Sequence, residues 1–209
     1  YTADGDKLHM AYSFDLLYEP HSAEFPHQVF GKFGRIVKDG WPSWAISNHD
    51  CPRIRTRWGG QQGGEAVARL AAAMQMTLRG SPCIYQGDEL GLPEVPDIPE
   101  GRLQDPIAFR IRMWPEFKGR DGCRTPFPWK KRGVSAGFSD APKTWLPIPP
   151  EHRELAVDQQ TRNPDSMLNF YRNLLAWRKT HPALLKGRLK LLPTDPQLLG
   201  YERRLDDDA

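Results

Sequence analysis

Three short apolar runs, residues 8–17 (LHMAYSFDLL), 42–47 (PSWAIS) and 82–86 (PCIYQ), alternate with stretches whose apolar residues recur at helical spacing. That alternation constrains the fold most. Parallel strands need a crossover between them, and a helix is the usual one. The first run is almost uniformly apolar, which suits a strand buried on both faces. Residues 26–39 place Val29, Phe30, Phe33, Ile36 and Val37 at helical steps. Residues 63–79 do the same with Val67, Leu70, Ala71, Met74 and Leu78, and Gly80 sits where a helix-ending glycine belongs. Three such units cannot close a barrel of eight. The α/β pattern is therefore either a small open sheet or the last portion of a barrel.

The 20 prolines and 18 glycines concentrate between residues 80 and 150, so a loop-dominated stretch is expected to about residue 163. Asn163-Pro164-Asp165 then opens a helix with Met167, Leu168, Tyr171, Leu174, Leu175 and Arg178 on one side. Beyond Pro182, the runs RLKLL and LLGYERRL flank a Pro-Thr-Asp-Pro turn and read as antiparallel strands.

Composition excludes some partners. A net charge of +3, from 29 basic and 26 acidic residues, gives no basic field for nucleic acid or an anionic membrane. No segment approaches the roughly 20 apolar residues that span a bilayer. No signal-peptide pattern is present, and a chain that starts on Tyr1 is expected to have lost its original beginning. Cys51, Cys83 and Cys123 are odd in number and widely spaced, which argues against a disulfide framework or zinc site and for a reducing, cytoplasmic compartment.

The informative chemistry follows the second and third runs, where a parallel α/β architecture gathers its reactive groups. Asn48-His49-Asp50 follows the second, with Arg53, Arg55 and Arg57 close behind; Gln86-Gly87-Asp88-Glu89 follows the third. An Asp–His relay lacks a nucleophile elbow, and no second His/Asp cluster has metal-ligand spacing. Polyol recognition is the third possibility: carboxylate and imidazole groups bind paired hydroxyls, and carboxylates favour a developing oxocarbenium ion. The plainer alternative is turn chemistry at Asn48. On that view the alternating arginines divide between a solvated face and a carboxylate partner, Glu89 accepts from loop backbone, and the seven tryptophans mostly pack.

Four segments resemble the α-amylase superfamily of retaining glycosidases. GDKLHMAYSFDLL (5–17) is similar to its sixth barrel strand, SNHDCPR (47–53) to its fourth sequence region, and GSPCIYQGDELGLPE (80–94) to the segment around its eighth strand. GRDGCRTPFPW (119–129) resembles the R-D-x-x-R-T-P-M-x-W signature of the α-glucosidase and oligo-1,6-glucosidase branch. The resemblance implies the C-terminal part of a (β/α)8 TIM barrel over residues 1–181 and the start of an antiparallel β-sandwich domain over 182–209.

It further implies that Asp50 is the third catalytic carboxylate, gripping the sugar and favouring its distorted ring, and that His49 hydrogen-bonds the same sugar. Arg124 would hold the non-reducing end of the glucose, Arg53 would help shape the neighbouring subsite, and Arg120 would be structural. The implied substrate is a small oligosaccharide or glucoside, with no cofactor. The family's nucleophilic Asp and acid/base Glu follow its fourth and fifth strands, and no matching segment occurs here; the family's calcium-like loop is also upstream, so no metal is assigned. The signature Met is Phe127, a change expected to be tolerated or to trim the pocket, and Asp88-Glu89 replaces the usual Glu-Glu. A transglycosylating relative, such as a sucrose isomerase or trehalose synthase, and a non-catalytic sugar-binding relative are the alternatives.

Overall fold

The computed structural model describes residues 6–18, 24–36, 40–60, 64–110, 119–195 and 197–205. Strand β1 (Met10–Ser13) leads through helix α1 (Asp15–Tyr18) and helix α2 (Glu24–Ile36) to β2 (Trp41–Ala45). Helices α3 (Ile54–Gly59) and α4 (Gly64–Thr77) precede β3 (Ser81–Cys83). The three strands form one parallel sheet in the order β1-β2-β3, with Met10 opposite Trp41 and Ser43 opposite Ser81.

The chain divides into two compact units. The first contains residues 1–46, 70–84 and 172–209; the second contains 47–69 and 85–171. Trp44 organises the first. Its ring meets Phe30 edge-on at 5.4 Å and Phe33 at 4.6 Å, and its Nε1 donates to the carbonyl of Arg79 at 2.7 Å. Gln75, buried on α4, satisfies two strand carbonyls with one amide, donating to Trp44 at 2.8 Å and Cys83 at 3.0 Å. Such bonds matter because a buried carbonyl without a donor costs about 1–3 kcal/mol.

Four expectations need correction here. The apolar run at 8–17 is not one strand: the hydroxyl of Ser13 donates to Asp15 Oδ2 at 2.8 Å and accepts from the Asp15 amide at 3.3 Å. This local turn stops the strand and starts α1, whose Leu16 and Leu17 are buried. β1 is also not buried on both faces; Met10 is 44% exposed. Leu70 does not join the inner face of α4. It is 70% exposed, while Ala68, Ala71, Ala72 and Gln75 face inward. Gly80 does not cap α4, which ends three residues earlier at Thr77. Instead it passes so close to β2 that an added Cβ would lie 2.6 Å from the Pro42 carbonyl, at a φ of +134° that favours glycine.

Helix α5 (Pro106–Arg110) and the short helices α6 (Pro150–Glu154) and α7 (Val157–Gln160) interrupt the long loop region; all three fall where no helix is expected from sequence. Helix α8 (Met167–Lys179) buries Met167, Leu168, Tyr171 and Arg178 and leaves Leu174 and Leu175 half-buried. After α9 (Pro182–Lys186), β4 (Arg188–Leu191) and β5 (Tyr201–Arg204) pair antiparallel, Arg188 opposite Arg204. Trp44 and Trp58 pack as expected, but Trp129, Trp145 and Trp177 are exposed; Trp114 and Val37 lie outside the described residues. No helix among the described residues is long and apolar enough to cross a membrane.

Candidate sugar-binding site

The second unit holds the site. Asn48 plays the turn role: its Oδ1 accepts the amides of Asp50 at 2.9 Å and Cys51 at 3.1 Å. That turn leaves the carboxylate of Asp50 free to be held by side chains from elsewhere. Two guanidinium groups meet on its Oδ1, Nη1 of Arg120 at 2.6 Å and Nη2 of Arg124 at 3.2 Å. Nε2 of His49 lies 3.5 Å from Oδ2. The Asp50 side chain is 33% exposed, so the carboxylate is both anchored and accessible.

The structure therefore brings Asp50, His49 and Arg124 together. Arg124 also donates through Nε to the His49 carbonyl at 2.7 Å, fixing the turn from outside. The larger partner is Arg120, expected from sequence to be structural only. It makes the shorter bond to Asp50, and its Nε and Nη2 grip Asp105 at 2.8 and 3.0 Å. That hydrogen-bonded guanidinium holds the Asp105 carboxyl well below the usual carboxylate range. Asp105 was missed entirely. Its one sequence signal, an Asp before Pro106 at a helix start, points to capping and not to an arginine partner.

A hollow of about 320 Å³ adjoins this cluster, lined by Asp50 and Arg120 together with Cys51, Glu94, Gly119 and Cys123 among others. His49 and Arg124 are not among its lining residues. Burial pushes the Glu94 carboxyl and the Cys51 thiol upward and takes the Cys123 thiol to about 12. Both cysteines are thus held as thiols, unsuited to nucleophilic attack. Gly122 closes one wall. A Cβ there would lie 2.2 Å from Glu94 Oε1 and 2.6 Å from the Val95 carbonyl.

Arg53 is not among the residues that line the hollow. Its side chain is wholly buried, with Nη1 donating to the Gln86 carbonyl at 2.8 Å and Cζ 5.5 Å from the Tyr85 ring centroid. A guanidinium without exposure cannot reach a hydroxyl; it ties the loop after β2 to the loop after β3. Of the other two arginines of the train, Arg55 donates to the Gly91 carbonyl at 2.7 Å and Arg57 to the Pro52 carbonyl at 3.3 Å. Glu89 does accept from loop backbone, the Gly87 amide at 2.8 Å. Burial raises the neighbouring Asp88 carboxyl to about 7. Phe127 packs against the buried cluster of Leu90, Leu92 and Leu168, away from the hollow's lining. Among the described residues, no group of three or more His, Cys, Asp or Glu could hold a metal ion.

Residues 4–187 match the family model of the α-amylase catalytic domain. A probable α-glucosidase of Rhizobium meliloti is 44% identical over 205 residues, covering 97% of this chain and 36% of that protein. A probable oligo-1,6-glucosidase of Bacillus subtilis is 34% identical over 186 residues, covering 81% of this chain and 33% of its own length. Among solved structures, an α-glucosyl transfer enzyme, XgtA, superposes with a TM-score of 0.90 at 45% identity, covering 99% of this chain and 37% of that one. The chain thus spans about a third of the length of the curated relatives it matches.

Proposed function

We propose a function from one premise: the chain belongs to the α-amylase catalytic-domain family, whose members are TIM-barrel enzymes. In this reading β1, β2 and β3 are barrel strands six to eight, residues 1–181 belong to the barrel, and 182–209 begin a β domain. The whole protein is a retaining α-glucosidase that releases terminal α-linked glucose from short oligosaccharides or aryl glucosides. Two carboxyls outside these residues attack and donate the proton. Residues 1–209 by themselves then hydrolyse no glucoside.

Asp50 assists. One observation carries this role: its Oδ1 is saturated by Arg120 and Arg124, while Oδ2 meets His49 at 3.5 Å and the carboxylate stays partly exposed. Oδ2 is the oxygen left to accept from sugar hydroxyls, and the negative charge favours positive charge developing on the ring. His49 supplies a second polar contact and Arg124 a donor fork beside it. The test is hydrolysis of p-nitrophenyl α-glucoside by the protein expressed from its whole reading frame. Proton NMR should show α-glucose as the first-formed anomer. No hydrolysis, or β-glucose first, ends this reading.

Transglycosylation is the second reading, favoured by the likeness to an enzyme described as α-glucosyl transferring. Product analysis on sucrose and maltose separates the two: hydrolysis releases one glucose per sucrose and two per maltose consumed, whereas transfer leaves the donor glucosyl in new disaccharides or longer glucosides and frees only the leaving sugar.

A further inference from the structure

We propose that Asp105 is a positioning residue that sets Arg120 against Asp50. A free arginine side chain carries about 2 kcal/mol of rotamer entropy and would not by itself hold one nitrogen on one carboxylate oxygen. Here a single buried carboxylate removes that freedom. Asp105 accepts from Arg120 three times: Nε to Oδ2 at 2.8 Å, Nη2 to Oδ1 at 3.0 Å, and the backbone amide to Oδ2 at 2.9 Å. A paired fork fixes the guanidinium plane as well as its distance. Only Nη1 of the fork is then turned to Asp50, at 2.6 Å.

Asp105 is itself braced. Oδ2 of Asp121 accepts the amides of Gln104 at 2.6 Å and Asp105 at 2.9 Å. Its side chain is fully enclosed, whereas those of Arg120 and Asp50 are 26% and 33% exposed. The order of burial matches the order of the relay: a fixed anchor, a semi-exposed strut, and an accessible carboxylate. Asp105 touches no substrate in this arrangement; it acts through Arg120.

The kinetic consequence rests on the glycosidase reading of Asp50; the geometric consequence does not. The experiment therefore has two arms, both on the protein from its whole reading frame. In the first, Asp105→Asn, Arg120→Ala and the double variant form a cycle read as kcat/KM on p-nitrophenyl α-glucoside. Asp105→Asn is expected to lose about tenfold alone and less than about twofold in the Arg120→Ala background, because its partner is gone. An equal loss in both backgrounds shows a general structural role and overturns the proposal. In the second arm, a crystal structure of Asp105→Asn is expected to show Arg120 displaced from Asp50; an unchanged contact overturns the proposal even if the wild-type protein hydrolyses no glucoside. Should Asp105→Asn fail to fold, Asp105→Ser, smaller and able to accept one bond, takes its place in both arms.

Discussion

Nη1 of Arg120 lies 2.6 Å from Oδ1 of Asp50, across 70 residues of sequence. Arg124 reaches the same oxygen, but at 3.2 Å and with its Nε committed to a backbone carbonyl. Two guanidinium groups on one carboxylate oxygen leave the other oxygen for a ligand, and that division underlies the account of the site.

The first prediction ranks the two arginines. Lysine keeps the charge but loses the fork, so Arg120→Lys breaks the simultaneous hold on Asp50 and Asp105. Steady-state kinetics on p-nitrophenyl α-glucoside should show a loss in kcat/KM of about a hundredfold for Arg120→Lys and about tenfold for Arg124→Lys. The reverse order would restore Arg124 as the principal partner, the ranking the signature motif suggests.

The second prediction concerns Arg53. Because it is buried and bonded to the Gln86 carbonyl, its loss should be felt in folding before it is felt in substrate affinity. Arg53→Met should lower the melting temperature and leave the KM of the folded fraction within about twofold. A large rise in KM with unchanged stability would return Arg53 to a subsite.

A third prediction follows from His152, enclosed between the Pro93 carbonyl at 2.9 Å and the Thr125 hydroxyl at 3.3 Å. Burial lowers its pKa from 6.5 to about 4. The unfolded chain takes up a proton between those values that the folded chain refuses, so this contribution is intact above pH 6.5 and is lost as pH falls toward 4. Its ceiling is about 3 kcal/mol. Asp88, raised to about 7, works in the opposite sense, so the comparison must be with a variant. As pH falls from 6.5 to 4, the melting temperature of His152→Gln should rise relative to that of wild type, because only wild type loses the His152 contribution. Identical slopes of melting temperature against pH would contradict this.

The fourth prediction tests the packing of Gly80. An added Cβ would lie 2.6 Å from the Pro42 carbonyl and 2.8 Å from Trp44 Nε1, neither a flexible chain end. Gly80→Ala should destabilise by on the order of 2 kcal/mol, measured by denaturant titration. A neutral substitution would mean that β2 and the turn before β3 separate easily.

Much of the fold is legible in the sequence because hydrophobic period is local: the strand–helix alternation, helix α8 and the terminal antiparallel pair all follow from it. The run at 8–17 is not, since uniform hydrophobicity carries no period and the Ser13–Asp15 turn hides inside it. Leu70 sits at a helical step yet faces outward, because alanines and Gln75 occupy the inner face. At the site, Asp50, His49 and Arg124 are visible in short motifs. The Arg120–Asp105 fork is not, because it joins residues 15 apart in a stretch of sequence that carries no apolar period to read.

The most direct test of the role given to Asp50 is Asp50→Asn in the protein from its whole reading frame, with turnover and melting temperature measured on one preparation. The account predicts that kcat on p-nitrophenyl α-glucoside falls by about a hundredfold or more while the melting temperature barely moves. Turnover close to wild type in a folded Asp50→Asn protein would contradict it.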